Sequence, residues 1–136
     1  MTLKLQDGGL ERKMSDARTA WNTTKLKLHL YSNNFSPTTS TVIGDYTECT
    51  FPGYSSQDIS NWAAPVTTSH VTQMLADAIT FTRSTTGTSQ NVYGYFVTNA
   101  AGSVPYWGEL DPAGPRVLTS AGDSVTVTPQ LTDQSL

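Results

Sequence analysis

Cysteine, charge and unbroken hydrophobic sequence are all scarce in this chain of 136 residues. The single cysteine, Cys49, excludes an intrachain disulfide and any C-x-x-C metal or redox pair. It sits in a strand-like run and reads as a buried, inert thiol. No run approaches the roughly 18 apolar residues of a membrane span. The N-terminus lacks a signal-peptide core, so synthesis and folding in a cytoplasm are expected. In that setting the sequons Asn22-Thr23-Thr24 and Asn34-Phe35-Ser36 read as chance. Charged residues are only 14% of the chain, so its surface must be made polar by Ser, Thr, Asn and Gln. After position 27 the only basic residues are Arg83 and Arg116, against eight carboxylates. A net charge of −3 argues against nucleic-acid binding, which needs a basic face for phosphates.

What is present begins with the other six basic residues, Lys4, Arg12, Lys13, Arg18, Lys25 and Lys27, which give the first 27 positions a charge of +3. Within this arm Leu10, Met14, Ala17 and Trp21 recur at helical spacing. They predict a short amphipathic helix over about 10–20, following a flexible break at Gly8-Gly9. Such a helix is marginal alone, so its stripe needs a surface, either the chain's own body or a partner. Leu10, Arg12, Lys13, Met14, Arg18 and Trp21 are the candidate attachment residues. The chain divides on this reading into an arm, 1–24, and a body, 25–136.

The body is written in short strands. Leu26, Leu28 and Leu30 alternate with Lys25, Lys27, His29 and Tyr31, which predicts one buried and one polar face. The β-branched run 38–43, the segment 46–51, a short piece near Ile59, and 66–74 follow as strand candidates. In 76–82, Ile79 and Phe81 face one way and Ala78, Thr80 and Thr82 the other. The stretch 92–98 is the clearest buried strand, with 104–110 as its hairpin partner across Asn99-Ala100-Ala101-Gly102. Asp111-Pro112-Ala113-Gly114-Pro115 is a loop. Val117-Leu118 and 124–128 follow, with Val125 and Val127 inward, and 132–136 is a polar tail. About eight short strands joined by turn chemistry predict an all-β fold, an antiparallel β-sandwich or jelly roll, preceded by an N-terminal arm with a short helix.

No nucleophile elbow, P-loop, dinucleotide fingerprint or H-E-x-x-H motif is present, so no catalytic residue, metal or cofactor is implied. His29 and His70 read as solvated or hydrogen-bonded side chains. The carboxylate pairs Glu109/Asp111 and Asp45/Glu48 read as solvated surface, since glycosidases hold two carboxyls across a cleft. Tyr93, Tyr95, Tyr106 and Trp107 are the candidate aromatics, serving as core or interface packing or as a sugar-stacking platform.

The runs from Leu26 to Pro37 and from Val42 to Tyr54 lead on to Val92-Tyr93-Gly94-Tyr95-Phe96-Val97-Thr98 and Ala121-Gly122-Asp123-Ser124-Val125. Together they resemble small virion proteins of tailed bacteriophages, over about 26–130. The resemblance implies a capsid cement or decoration protein on the virion exterior. Its partner would be the major capsid protein, and it would self-associate as a dimer or trimer, without catalysis, nucleic acid or membrane. The basic arm lies outside the resemblance. Two other readings stand beside it: a host-glycan-binding module on a tail or head fibre, and a small sandwich hydrolase.

Overall fold

A computed structural model describes residues 6–134; Lys4 and the last two residues of the 132–136 tail lie outside the described residues. Helix α1 runs Asp7–Thr23, longer than its apolar stripe. Gly8 and Gly9 lie in its first turn and do not form a break. Each costs about 1 kcal/mol relative to alanine, so the helix depends on what it packs against. In chain order the strands are β1 (Lys27–Tyr31), β2 (Gln57–Asp58), β3 (Val66–Thr68), β4 (Val71–Leu75), β5 (Ile79–Thr82), β6 (Gln90–Val92), β7 (Gly94–Thr98), β8 (Pro105–Leu110), β9 (Arg116–Leu118), β10 (Ser124–Val127) and β11 (Gln130–Gln134). The chain is mostly β with one N-terminal helix and several antiparallel sheets, consistent with a β-sandwich.

Two compact units share the sequence, and they divide it differently from a 1–24 arm and a 25–136 body. The first gathers residues 6–25, 59–78 and 128–134. Its sheet has the order β11-β4-β3, and α1 lies against β4 and β3. Period two holds along β4: Thr72 and Met74 are buried while Gln73 and Leu75 are exposed. Leu10 and Met14 of the helix, with Trp62 and Ala76, are also buried. Burying each of the two helix side chains is worth about 1.5–3 kcal/mol, enough to offset the two glycines. The expected strand over 66–74 is a hairpin, β3 and β4, turned by Ser69 and His70. Both have positive φ, 50° and 66°, as a two-residue turn of the favoured twist demands.

The second unit comprises Leu26–Asp58 and Ile79–Val127. Its main sheet has the order β2-β1-β7-β8, and two-stranded sheets β10-β5 and β6-β9 accompany it. The register pairs Leu28 with Val97 and Leu30 with Tyr95 on one face of β1, and His29 with Phe96 and Tyr31 with Gly94 on the other. Leu28, Leu30 and Val97 are buried, and so are His29, Tyr31 and Phe96. Tyr46 stacks on Phe96 at 4.0 Å, and Phe35 and Tyr93 pack on the same cluster. His29 therefore does not sit on a solvated face; aromatic side chains from outside the sheet cover it. Gly94 and Gly108 make this possible. A β-carbon on Gly94 would collide with the Tyr31 hydroxyl and the Glu109 carbonyl, and one on Gly108 with the Tyr46 hydroxyl.

Two strand expectations fail here for the same reason. The run 38–43 forms turns leading into a short 3-10 helix, Ile43–Asp45, because Thr and Asp side chains take up its backbone groups. The segment 46–51 makes only an isolated bridge, Glu48 with Tyr31, because the Asn33 and Gln90 side chains accept from its Thr47, Thr50 and Phe51 amides. The 92–98 strand is interrupted at Tyr93, where β6 ends before β7 begins. Of the expected core set, Leu26, Leu28, Leu30 and Phe81 are buried, while Ile79, Val125 and Val127 are half-buried.

Candidate functional site

Helix α1 carries six candidate attachment residues, and its own unit engages each of them. Leu10 and Met14 are buried beneath it. Arg12 pairs with Asp16 at 3.0 Å, one helical turn on, and Lys13 with Asp133 at 2.7 Å. Arg18 donates to the Trp62 carbonyl at 2.7 Å, and the Trp21 ring lies 5.5 Å from that of Trp62. Asn22 clasps the same residue, accepting from its amide at 2.9 Å. The stripe is thus covered by the chain itself. Leu10 and Met14 present no surface to a partner in this structure.

The four candidate aromatics are also divided. Tyr93 packs on the Tyr31–Tyr46–Phe96 cluster. Tyr95 is half-buried and its hydroxyl donates to Glu109 Oε2 at 3.0 Å; burial first, then the carboxylate, raises the pKa of that hydroxyl. Trp107 is half-buried, opposite Val97. Tyr106 is 50% exposed. The register of β7 against β8 slips here, Val97 facing Trp107 and Thr98 facing Pro105, so Tyr106 is the extra residue of a bulge on an edge strand. The four do not form one exposed platform. The carboxylate pairs separate as well. Asp111 binds Arg116 at 2.7 Å and the Ala113 amide at 2.9 Å. Burial alone would raise its carboxyl, but these bonds and the Arg116 charge outweigh that and hold it below the ordinary range. Asp45 accepts from the Val42 amide, whereas Glu48 faces His29.

That last contact belongs to a polar network linking β1, β7 and the 46–56 segment. Glu48 Oε1 lies 2.7 Å from His29 Nδ1, and His29 Nε2 lies 2.9 Å from Thr98 Oγ1. The Tyr54 hydroxyl donates to the same Glu48 oxygen at 2.7 Å and accepts from the Leu30 amide at 3.0 Å. Burial, then Glu48, raises the pKa of the Tyr54 hydroxyl strongly. The imidazole stacks on Phe96 at 4.6 Å. Sequence reasoning missed this network because its members lie 19 and 69 positions apart. Carboxylate, imidazole and hydroxyl stand in the order of a nucleophile-activating triad. The hydroxyl is wrongly placed for that work: Thr98 is 0% exposed and also donates to the Asn99 carbonyl at 3.0 Å. What the arrangement can do is fasten the 46–56 segment to β1, alongside the backbone bonds from Ser32 to Thr47 and from Cys49 to Leu30. Cys49 lies buried there, its thiol pushed up to about 12 by burial and then by Glu48.

Among the described residues no group of three His, Cys, Asp or Glu side chains gathers as a metal site, and no helix is long and apolar enough to cross a membrane. Among the described residues the exposed large apolar side chains are Val42, Ile43, Val66, Leu75, Val104, Tyr106 and Val117, on loops, on the short 3-10 helix and on strands β3, β4, β8 and β9. Comparison with protein-family models, with curated proteins and with solved structures gives no match to this chain.

Proposed function

We propose that this chain is a non-catalytic virion structural protein, a head cement or decoration protein of a tailed bacteriophage. In this role it sits on the capsid exterior, stabilises the shell by bridging neighbouring major capsid subunits, and self-associates as a dimer or trimer. On this reading the β fold is a variant of the jelly-roll kind. The observation that carries it is the distribution of exposed apolar side chains. They stand on an otherwise hydroxyl-rich surface, Val66 at 63% and Val42 at 59% exposure among them. Apolar points on a neutral surface suit shape-dependent docking. Attachment is assigned to these apolar points and not to the stripe of α1, which its own unit covers.

The work of such a protein is thermodynamic. A ligand that binds the assembled state better than the dissociated one stabilises the assembly by mass action, and many equivalent sites add through multivalency. Counting copies per virion by quantitative mass spectrometry tests the assignment. Hundreds of copies fit a shell protein; a dozen or fewer would move it to the tail or portal. A second reading, a fibre-associated module for host glycans, draws on one observation, the exposed Tyr106 ring at the β8 bulge. Glycan-array binding by the isolated protein, lost in Y106A, would favour it.

A further inference from the structure

Phe35 and Tyr46 pack edge to face at 5.1 Å, closing the base of the loop between them. A compact loop with joined ends is a recurrent functional element, and this one is held rigid by its own bonds. The Thr41 amide donates to the Thr38 carbonyl at 3.1 Å, and the Thr38 amide to Thr41 Oγ1 at 2.8 Å. The Val42 amide donates to Asp45 Oδ2 at 2.8 Å, the Asp45 amide to the Val42 carbonyl at 3.0 Å, and the Tyr46 amide to the Ile43 carbonyl at 3.3 Å. Asn33 anchors the exit through the Asp45 carbonyl at 2.9 Å and the Thr47 amide at 2.8 Å. On this frame Val42 is 59% exposed and Ile43 39%. Polar residues would serve a solvent-facing turn equally well. Two aliphatic side chains held in a fixed geometry lose little freedom on docking, which is what pre-organisation contributes to affinity.

Resting on the reading of the chain as a shell-binding subunit, we propose that Val42 and Ile43 form the anchor that enters a charge-poor apolar socket on the protein subunits to which it attaches. Charge selects this occupant. Residues 36–44 carry no charge, and no Lys or Arg occurs between Lys27 and Arg83. The one charge beside the tip is the exposed carboxylate of Asp45, which is acidic and accepts from the Val42 amide. A lipid surface is bound by apolar tips accompanied by basic residues, which this stretch lacks. A second copy meeting tip to tip would bury only two side chains a side, far below the roughly 800 Å² per partner of a stable interface. A socket on a larger surface fits instead, with the two aliphatics as its central anchor.

The test uses shells stripped of the protein, to which the full chain or its V42S/I43S variant is rebound. The backbone bonds of the loop survive both substitutions, so the variant is expected to keep the circular dichroism and melting temperature of the parent. Its rebinding is expected to weaken on the order of tenfold or more, while Q73S, altering an exposed polar residue of β4 outside the apolar points, leaves rebinding unchanged. Equal rebinding by parent and V42S/I43S overturns the anchor and leaves the shell-binding reading standing. An equal loss in Q73S also overturns it. A parent chain that does not rebind overturns the shell-binding reading and the anchor with it. Cosedimentation of the parent, but not the variant, with phosphatidylcholine–phosphatidylserine vesicles overturns the protein socket in favour of lipid.

Discussion

The two units of this chain bury their strands by opposite means. In the first, helix α1 covers one face of a three-stranded sheet and leaves the other open, so β4 alternates between buried Thr72 and Met74 and exposed Gln73 and Leu75. In the second, β1 has neighbours on both edges and cover on both faces, so four successive residues from Leu28 to Tyr31 are buried. Yet β1 has the more regular alternation in sequence, Lys-Leu-His-Leu-Tyr. The difference teaches that period two marks a strand but does not say that its polar-looking face meets water. His29 is accommodated because Glu48 and Thr98 satisfy both ring nitrogens, which is the condition for burying a polar group.

The strongest way to break the comparison is to remove what covers each sheet. L10A/M14A should destabilise the first unit by about 4 kcal/mol or more, since each buried truncation costs about 2–5. Hydrogen exchange should then speed up first in β3, β4 and β11. Unchanged protection there would mean that the helix is not the cover. F96A should cost about 3–5 kcal/mol and act first on β1 and β7, because Phe96 is stacked between His29 and Tyr46. A loss below about 1 kcal/mol would contradict a two-sided core.

H29A sharpens the contrast on the polar side. It removes packing on Phe96 and takes the ring partner from both Glu48 and Thr98, so about 2–4 kcal/mol should be lost in denaturant melts. A solvated histidine would cost almost nothing. The smallest effect concerns Asp123, whose carboxylate accepts from the Ser120 and Thr119 amides at 2.8 Å each. These bonds hold its carboxyl below the ordinary value. A depressed carboxyl contributes stability above its unfolded pKa of about 3.9 and loses it as pH falls through the folded value. Stability should therefore drop below about pH 4, and D123N should flatten that limb of the profile; an identical acid profile would show that the carboxylate is not engaged.

Much of the fold was legible. The Leu10–Met14 stripe named the helix, Leu26 to Leu30 named the central strand, and the 92–98 and 104–110 pairing named the hairpin at the sheet edge. What was illegible depends on side-chain bonds across distance. The run 38–43 has strand composition, but Thr38, Thr41 and Asp45 bind its backbone locally. The break at Ser69-His70 lacks the glycine or asparagine that usually announces such a turn. The unit boundary was hidden because the helix meets segments from 59–78 and 128–134, far along the chain. The candidate site fared similarly. Tyr93, Tyr95, Tyr106 and Trp107 drew notice by residue type, but a bulge and a strand break send them to different surroundings.

The proposed role has one direct test: shell survival under heating, with and without the protein bound, read as the temperature at which DNA is released. Bound protein should raise that temperature, moderate salt should reduce the gain only in part because the exposed apolar points carry no charge, and shells should still assemble in its absence. Equal release temperatures with the protein demonstrably bound would contradict the stabilising role.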